Sequence, residues 1–171
     1  MALPPWEASG SLTFRTFLPE DASACHELLM QSTRRCEFGL IWDVERLARH
    51  LGGEGVAQTL IAEKGGKPTG FINWHVLPFL GRTEESIAVL DLVAIDGLTR
   101  TEQRQTMNAA LAWMKAEGAA LVLKLAIGDY PLWPLVANGF VPRFPDSYIM
   151  VTWAGEPEHL PPCSRLHLLW R

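Results

Sequence analysis

A single carboxylate interrupts the most apolar run of the sequence. Ile87-Ala-Val-Leu-Asp-Leu-Val-Ala-Ile95 is rich in β-branched residues and carries one charge, Asp91. A carboxylate on a strand covered on both faces either looks into a cleft or is paired, because desolvating it alone is costly. Read one way, Asp91 is a base able to take a proton; read the other, it is a structural residue satisfied by backbone or by a basic neighbour. His75, in the strand-like segment Gly70 to Val76, is the second candidate, since an imidazole titrates where proton transfer is useful. Its alternative is a half-buried strand histidine. The third group is Leu98-Thr-Arg-Thr-Glu-Gln103 with Arg104. Thr99 or Thr101 can cap a helix there, Arg100 and Arg104 can meet an anion, and a helix start offers free amides and a positive dipole end. Glu102 brings negative charge to the same end, and as solvated residues of a helix start these side chains need no ligand.

One βαβ unit positions all three groups. After the apolar strand and Asp96-Gly97, Met107, Ala110, Leu111 and Met114 recur at the spacing of a helix with one buried face over Thr99 to Glu117, and Gly118 ends it. Ala120 to Ala126 returns as a second buried strand, with Leu121, Leu123 and Leu125 on one side, and a helical crossover of this length makes the two strands parallel. Upstream, Ser11 to Leu18 reads as a strand, and Pro19-Glu20-Asp21 opens a helix that buries Ala22, Cys25, Leu28 and Leu29. Asp43 caps a second helix whose stripe is Val44, Leu47, Ala48 and Leu51 and whose stop is Gly52. Thr59 to Glu63 and Gly70 to Val76 flank Lys64-Gly-Gly-Lys67, a hairpin turn between antiparallel strands. The sheet therefore begins antiparallel and becomes parallel, and a splayed pair at that junction leaves a crevice for a ligand. Downstream, Asp129 to Gly139 predicts a short helix capped by Asp129, and Ser147 to Trp153 a strand. Arg165 to Trp170 is an apolar strand-like piece that must be covered by its own sheet or by a partner subunit, which leaves a homodimer open.

Bulk properties narrow the classes. At 171 residues and 48% hydrophobic, the chain suits one α/β domain. A net charge of -4 without a Lys/Arg cluster argues against a nucleic-acid surface. Apolar stretches too short for a membrane span and an N-terminus unlike a signal peptide make a cytoplasmic location the expectation. Cys25, Cys36 and Cys163 have no metal-ligand spacing, and Cys25 falls on the buried face of the first helix.

Asp91-Leu-Val-Ala-Ile-Asp96, Leu111-Ala-Trp-Met-Lys-Ala-Glu-Gly118, Ala120-Leu-Val-Leu-Lys-Leu125 and Asn138-Gly-Phe140, in this order, resemble the core of the GCN5-related N-acetyltransferase superfamily. Leu12 to Asp21 is similar to that family's first strand and helix start, so the resemblance spans most of residues 11 to 153. It implies an α/β fold with a mixed sheet, about six or seven mostly antiparallel strands around a central splayed parallel pair, and about four helices. Residues 11–171 would form one domain behind a lead-in of 1–10, with 154–171 as a C-terminal extension. The resemblance also implies acetyl-CoA in the crevice, its pantetheine pairing with backbone near Leu92, Val93, Ala94 and Ile95. Its pyrophosphate would rest at the helix start, which makes Thr99, Arg100, Thr101, Gln103 and Arg104 the cofactor candidates. The family's Gln/Arg-x-x-Gly-x-Gly/Ala pattern is absent here, because this turn has no glycine. An acceptor amine, on a small molecule or peptide, would lie beneath Arg34 to Trp42, with Phe38, Trp42 and Trp74 as substrate residues. Asp91 or His75 would take its proton. The family's Tyr acid is replaced by Leu135, leaving Tyr130, one or more turns earlier, as a substitute. The reading of a different class is a non-catalytic domain that keeps the fold for ligand sensing or protein association; the missing glycines, the missing Tyr and the apolar C-terminal strand support it.

Overall fold

Two glycines set the first long-range pairing. Gly65 and Gly66 both have positive φ, 58° and 77°, as a two-residue hairpin turn between twisted strands requires. They fold strand β3 (Ala57–Lys64) back on β4 (Lys67–Leu80), and β4 pairs antiparallel with β5 (Glu84–Ala94). The computed structural model describes residues 12–53, 57–80, 84–143 and 163–169. Within these, β1 (Leu12–Thr16) adds antiparallel to β3, and β6 (Leu121–Lys124) adds parallel to β5, giving the order β1-β3-β4-β5-β6. Phe38–Gly39 (β2) and Leu166–His167 (β7) form a separate parallel pair.

Helices cover both faces, which is why the central strands carry apolar residues in unbroken runs. Under α3 (Arg100–Ala116) lie Ile72, Trp74, Ala88, Leu90, Val93 and Ile95 with Met107, Ala110 and Met114. Under α1 (Ala22–Thr33) and α2 (Val44–Leu51) lie Phe71, Leu92 and Ala94 with Cys25, Leu29, Leu47 and Leu51. Burial pushes the Cys25 thiol up to about 12, as for an inert core residue. The expected caps are in place on α2, where Asp43 accepts from the Arg46 amide, and on α3, where Gly118 follows the last turn at φ 91°.

Three expectations are corrected. Val44 is 39% exposed, and His50 takes its place in the buried stripe of α2. β6 is an edge strand among the described residues; Leu121 on its outer side is 54% exposed. Asp129 does not cap α4 (Leu132–Ala137), whose N-cap is Pro131; it forms instead a buried ion pair with Lys124 at 2.6 Å. Of the two coverings left open for the C-terminal strand, the structure has one within the chain, a parallel pairing with β2. The strand expected at Ser147 to Trp153, the lead-in 1–10 and most of the extension 154–171 lie outside the described residues.

Candidate functional site

Asp91 owes its position to a fault in the sheet. Trp74 opposes Leu90 and Asn73 opposes Leu92, so Asp91 is the extra residue of a bulge in β5. The same point ends the pairing with β6, whose ladder runs from Ile87–Leu121 to Leu90–Lys124. Beyond it Leu92, Val93 and Ala94 continue along β4 while β6 has left, so their outer edge faces the splay. This is the crevice implied by the strand order, and the bulge turns the carboxylate towards α1 and α2.

There Asp91, 2% exposed, meets two imidazoles. His75 Nδ1 lies 3.0 Å from Asp91 Oδ2, and His50 Nε2 lies 3.8 Å from the same oxygen. A carboxylate accepts, so His75 donates from Nδ1; in the neutral ring this leaves Nε2 as a lone pair, the tautomer that suits a base held by an orienting acid. The ring of Trp42 packs against His50 with centroids 5.3 Å apart. Trp42 Nε1 donates to His167 Nε2 at 2.9 Å, and His26 Nε2 lies 2.9 Å from the Trp42 carbonyl oxygen. Four of the five histidines in the chain thus converge on two residues, Asp91 and Trp42, His26 through the Trp42 main-chain carbonyl. Among the described residues, no group of three or more His, Cys, Asp or Glu side chains is arranged to hold a metal ion.

Beyond the C-terminal end of β5, the turn into α3, Leu98 to Gln103, is built without glycine. Thr99 is the N-cap: its hydroxyl accepts from the Glu102 amide, and the Glu102 carboxylate accepts from the Thr99 amide at 2.9 Å and its hydroxyl at 2.8 Å. This reciprocal capping box is extended by Lys64, 2.9 Å from Glu102. The Lys64 hydrogen bond first, then those from Thr99, push the Glu102 carboxyl down to about 2. Gln103 donates to the Leu98 carbonyl through its side chain and to the Thr99 carbonyl through its amide. The cap therefore uses the amides of Thr99, Glu102 and Gln103 and leaves those of Arg100 and Thr101 for an anion. Arg100 stacks its guanidinium 5.3 Å above the exposed ring of Trp133, and Arg104 is exposed one turn on. Arg35, in the loop after α1, bonds Asp96 at 2.9 Å just before this turn.

The remaining candidates divide. Trp42 joins the Asp91 cluster, and Phe38 lies on β2 beside it in the chain, opposite Leu166. Trp74 does not: it lies on the α3 face, donates to Glu117 at 3.0 Å and meets Trp113 edge-on. Tyr130 is 5% exposed in the same α3-side core, and its hydroxyl has no partner among the described residues. Burial, with Asp96 nearby, raises its phenol well above the usual value, which makes it a poor proton donor. His50 and His167 were absent from the expectations. His50 was legible as the residue three after Leu47 on the helix stripe; His167 was legible only as the polar interruption of an apolar terminal run.

No protein-family model matches the sequence, and a search of curated proteins finds no match. Solved structures do match. An aminoglycoside acetyltransferase from an uncultured soil metagenomic sample, in complex with sisomicin, has a TM-score of 0.66 at 18% identity over 86% of this chain and 99% of that chain. The fold is that of the GCN5-related N-acetyltransferases. Glucosamine-6-phosphate N-acetyltransferase from Arabidopsis thaliana matches at TM-score 0.62 and 15% identity, over 85% of this chain and 100% of that chain. Ribosomal-protein-alanine N-acetyltransferase from Brucella melitensis biovar Abortus 2308 matches at 0.61 and 15%, over 84% and 100%. In this fold the bulge, the end of the β5–β6 ladder and the start of α3 follow one another along the chain, from Asp91 to Thr101. No helix among the described residues is long and apolar enough to cross a membrane.

Proposed function

We propose that the chain is an N-acyltransferase that moves an acetyl group from acetyl-CoA to an amine. The observation that carries this reading is the coincidence at one residue of three features: the bulge, the end of the β5–β6 ladder and the 3.0 Å contact with His75. Acetyl-CoA supplies an activated acyl carbon. The outer backbone edge of Leu92 to Ala94 suits its amide-bearing arm, and the amides of Arg100 and Thr101, with the cation of Arg104, suit its phosphates. His75 Nε2 accepts the proton that the amine loses as its nitrogen bonds the acyl carbon and the carbon–sulfur bond breaks; the departing thiolate takes a proton in turn. Asp91 holds the ring in the required tautomer and stabilises the imidazolium, so His75 is the base and Asp91 its orienter. Trp42 packs against His50 beside this pair, and Phe38, four residues earlier on β2, is the further substrate candidate. The structural neighbours are named for an aminoglycoside, a sugar phosphate and a protein, and the acceptor here is a primary amine on a small molecule or peptide.

One feature favours a second reading. Glu102 places a carboxylate where a phosphate would be held, which suits a domain that keeps the fold for ligand sensing or protein association. Calorimetric titration with acetyl-CoA, followed by thiol release with an aminoglycoside, an amino-sugar phosphate and a free peptide N-terminus, separates the two. Saturable binding with amine-dependent thiol release supports the transferase. Absence of binding up to millimolar acetyl-CoA refutes it in favour of the second reading.

A further inference from the structure

Trp42 and His167 lie 125 positions apart and meet in a contact that works in one protonation state. An indole N–H donates and never accepts. The 2.9 Å contact from Trp42 Nε1 to His167 Nε2 therefore needs a lone pair on that nitrogen, which puts the ring proton on Nδ1 and makes the imidazole neutral. Among the described residues, no neighbouring group replaces the lone pair. The Lys124–Asp129 ion pair and Arg165 lie near His167, Cys36 shares their surroundings, and Glu37 is occupied with backbone amides. On the other side of Trp42, the Arg46 guanidinium lies 5.4 Å above the ring and His50 packs beneath it. His26 faces the Trp42 carbonyl, which accepts, so His26 keeps that bond in either charge state.

Among the described residues, the segment that carries His167 has few other ties, Leu169 packing against the core cluster that includes Trp42. β7 pairs with only two residues of β2, a length with little stability of its own. The His167 carbonyl accepts from the Leu40 amide, the Arg165 carbonyl from the Glu37 amide, and the Ile127 carbonyl from the Leu166 amide. Glu37 Oε2 accepts from the amides of Ser164 and Arg165 at 2.6 and 3.2 Å. The approach is close: a side chain at Gly39 would begin 2.7 Å from His167 Cβ. His167 is the one buried side chain by which this strand reaches the Trp42 indole and, through it, the Asp91 cluster.

We propose that His167 is a positioning residue of the acceptor site: its neutral ring fixes Trp42 over His50, Asp91 and His75 and latches the C-terminal strand across the segment between α1 and α2, and protonating it releases both. The role at an acceptor site rests on the acyltransferase reading; the latch does not. Burial lowers the His167 pKa from the usual 6.5, Asp129 opposing and Lys124 adding to the effect. The docked strand thus favours the neutral ring. Its docking is strongest above pH 6.5 and weakens as pH falls through the lower docked value. Glu37, held below the usual carboxylate range chiefly by the Ser164 amide, loses its charge only at more acid pH.

The test uses the full chain without acetyl-CoA. The Trp42 indole resonance, the His167 ring resonances and the exchange rate of the Leu40 amide are followed by NMR as pH falls from about 7.5 to about 5. In the wild type all three change together in a one-proton transition, and Leu40 exchanges at least about tenfold faster, relative to open-chain rates, below it. His167→Gln offers an amide oxygen that accepts at every pH, so the indole signal and Leu40 protection persist across that range; His167→Phe loses both throughout. A transition unchanged in His167→Gln, or an indole signal unmoved in His167→Phe, overturns the latch. With acetyl-CoA and an amine, the acceptor KM of the wild type rises on the acid side at least about threefold more than that of His167→Gln. Identical profiles overturn the positioning role, whereas absence of any transfer by the wild type refutes the acyltransferase reading and leaves the spectra to decide the latch.

Discussion

Replacing Glu102 by Gln should tighten acetyl-CoA binding. The amides of Arg100 and Thr101 are the ones that the capping box leaves for phosphate, and Glu102 lies within one helical turn of them, a rise of about 5 Å. Two unit charges at that distance interact by about 0.8 kcal/mol at the dielectric of water. A diphosphate carries two charges, so the repulsion is about 1.6 kcal/mol, and Lys64, 2.9 Å from Glu102, offsets part of it. Taking about 1 kcal/mol as the remainder, the Kd should fall about fivefold at low ionic strength. The gain should shrink when salt is raised to about 0.3 M, because Lys64 and a bound diphosphate at the helix start are open to solvent and Glu102 is only partly buried. Gln keeps an oxygen for the Thr99 amide, so the cap survives. Lys64→Ala removes the compensating cation and should weaken binding by a similar factor. The assay is calorimetry on both variants at two salt concentrations. Changes of the same sign in the two variants, or no change in Glu102→Gln, would refute the placement of phosphate at this helix start.

Three further outcomes follow from the geometry. Asp91→Asn keeps an acceptor for the His75 Nδ1–H but removes the charge that stabilises the imidazolium, so kcat/KM should fall by roughly 10²–10⁴-fold with the circular dichroism spectrum unchanged. His75→Gln should cost as much, and the double variant no more than either; multiplicative losses would show that the two residues do not act as a unit. Arg15 bonds Asp21 through two nitrogens at 2.6 and 2.8 Å and Glu63 at 2.6 Å. The Arg15 hydrogen bond is the main reason that the Asp21 carboxyl lies below its usual 3.8, so this stabilisation is complete above that pH and is lost as pH falls through the lower folded value. Arg15→Met should destabilise by about 2 kcal/mol at pH 7, a buried-pair loss discounted for the partial exposure of Arg15, and should flatten the acid limb of a denaturant titration. An acid limb as steep as that of the wild type would exclude this pair as its source. Finally, Gly128 has φ 83°, and a Cβ there would fall 2.6 Å from the Ser164 carbonyl oxygen. Gly128→Ala should therefore expose the Leu40 amide to exchange while the thermal midpoint of the sheet moves little; a large fall in the midpoint would mean that β7 is part of the cooperative core.

Much of the fold was legible because local chemistry and burial pattern agree. The Gly-Gly hairpin, the Asp43 cap and the α3 stripe each have a short-range cause, and each is where its residues predict. A charge alone in an apolar strand marked Asp91, and the histidine of the adjoining strand marked His75. What failed was the face assignment. Trp74 and His75 are neighbours on one strand and must point to opposite sides, so both could not line the same cleft; with both faces of the sheet buried, hydrophobicity does not say which side holds the ligand. The bulge was equally hidden, since an extra residue in an apolar run leaves the run apolar. His50 belongs to a helix whose polar and apolar faces meet at that position, and whether it turns inward is decided by Asp91 across the gap. His167 depends on a partner far away in sequence, which no window along the chain contains.

The Trp42–His167 contact also bears on the order in which the molecule assembles. The hairpins of β3, β4 and β5 join residues close in sequence and close small loops, whereas the latch must bring together positions 125 residues apart. On loop-closure entropy the sheet hairpins should form before this contact, leaving an interval in which the Asp91 cluster is built but uncovered. Pulse-labelled exchange should find the Leu40 amide protected after those of β3 to β5. During that interval anything that fits beneath Trp42 competes with the chain's own last strand, so a tight acceptor should slow the closing step in proportion to its concentration.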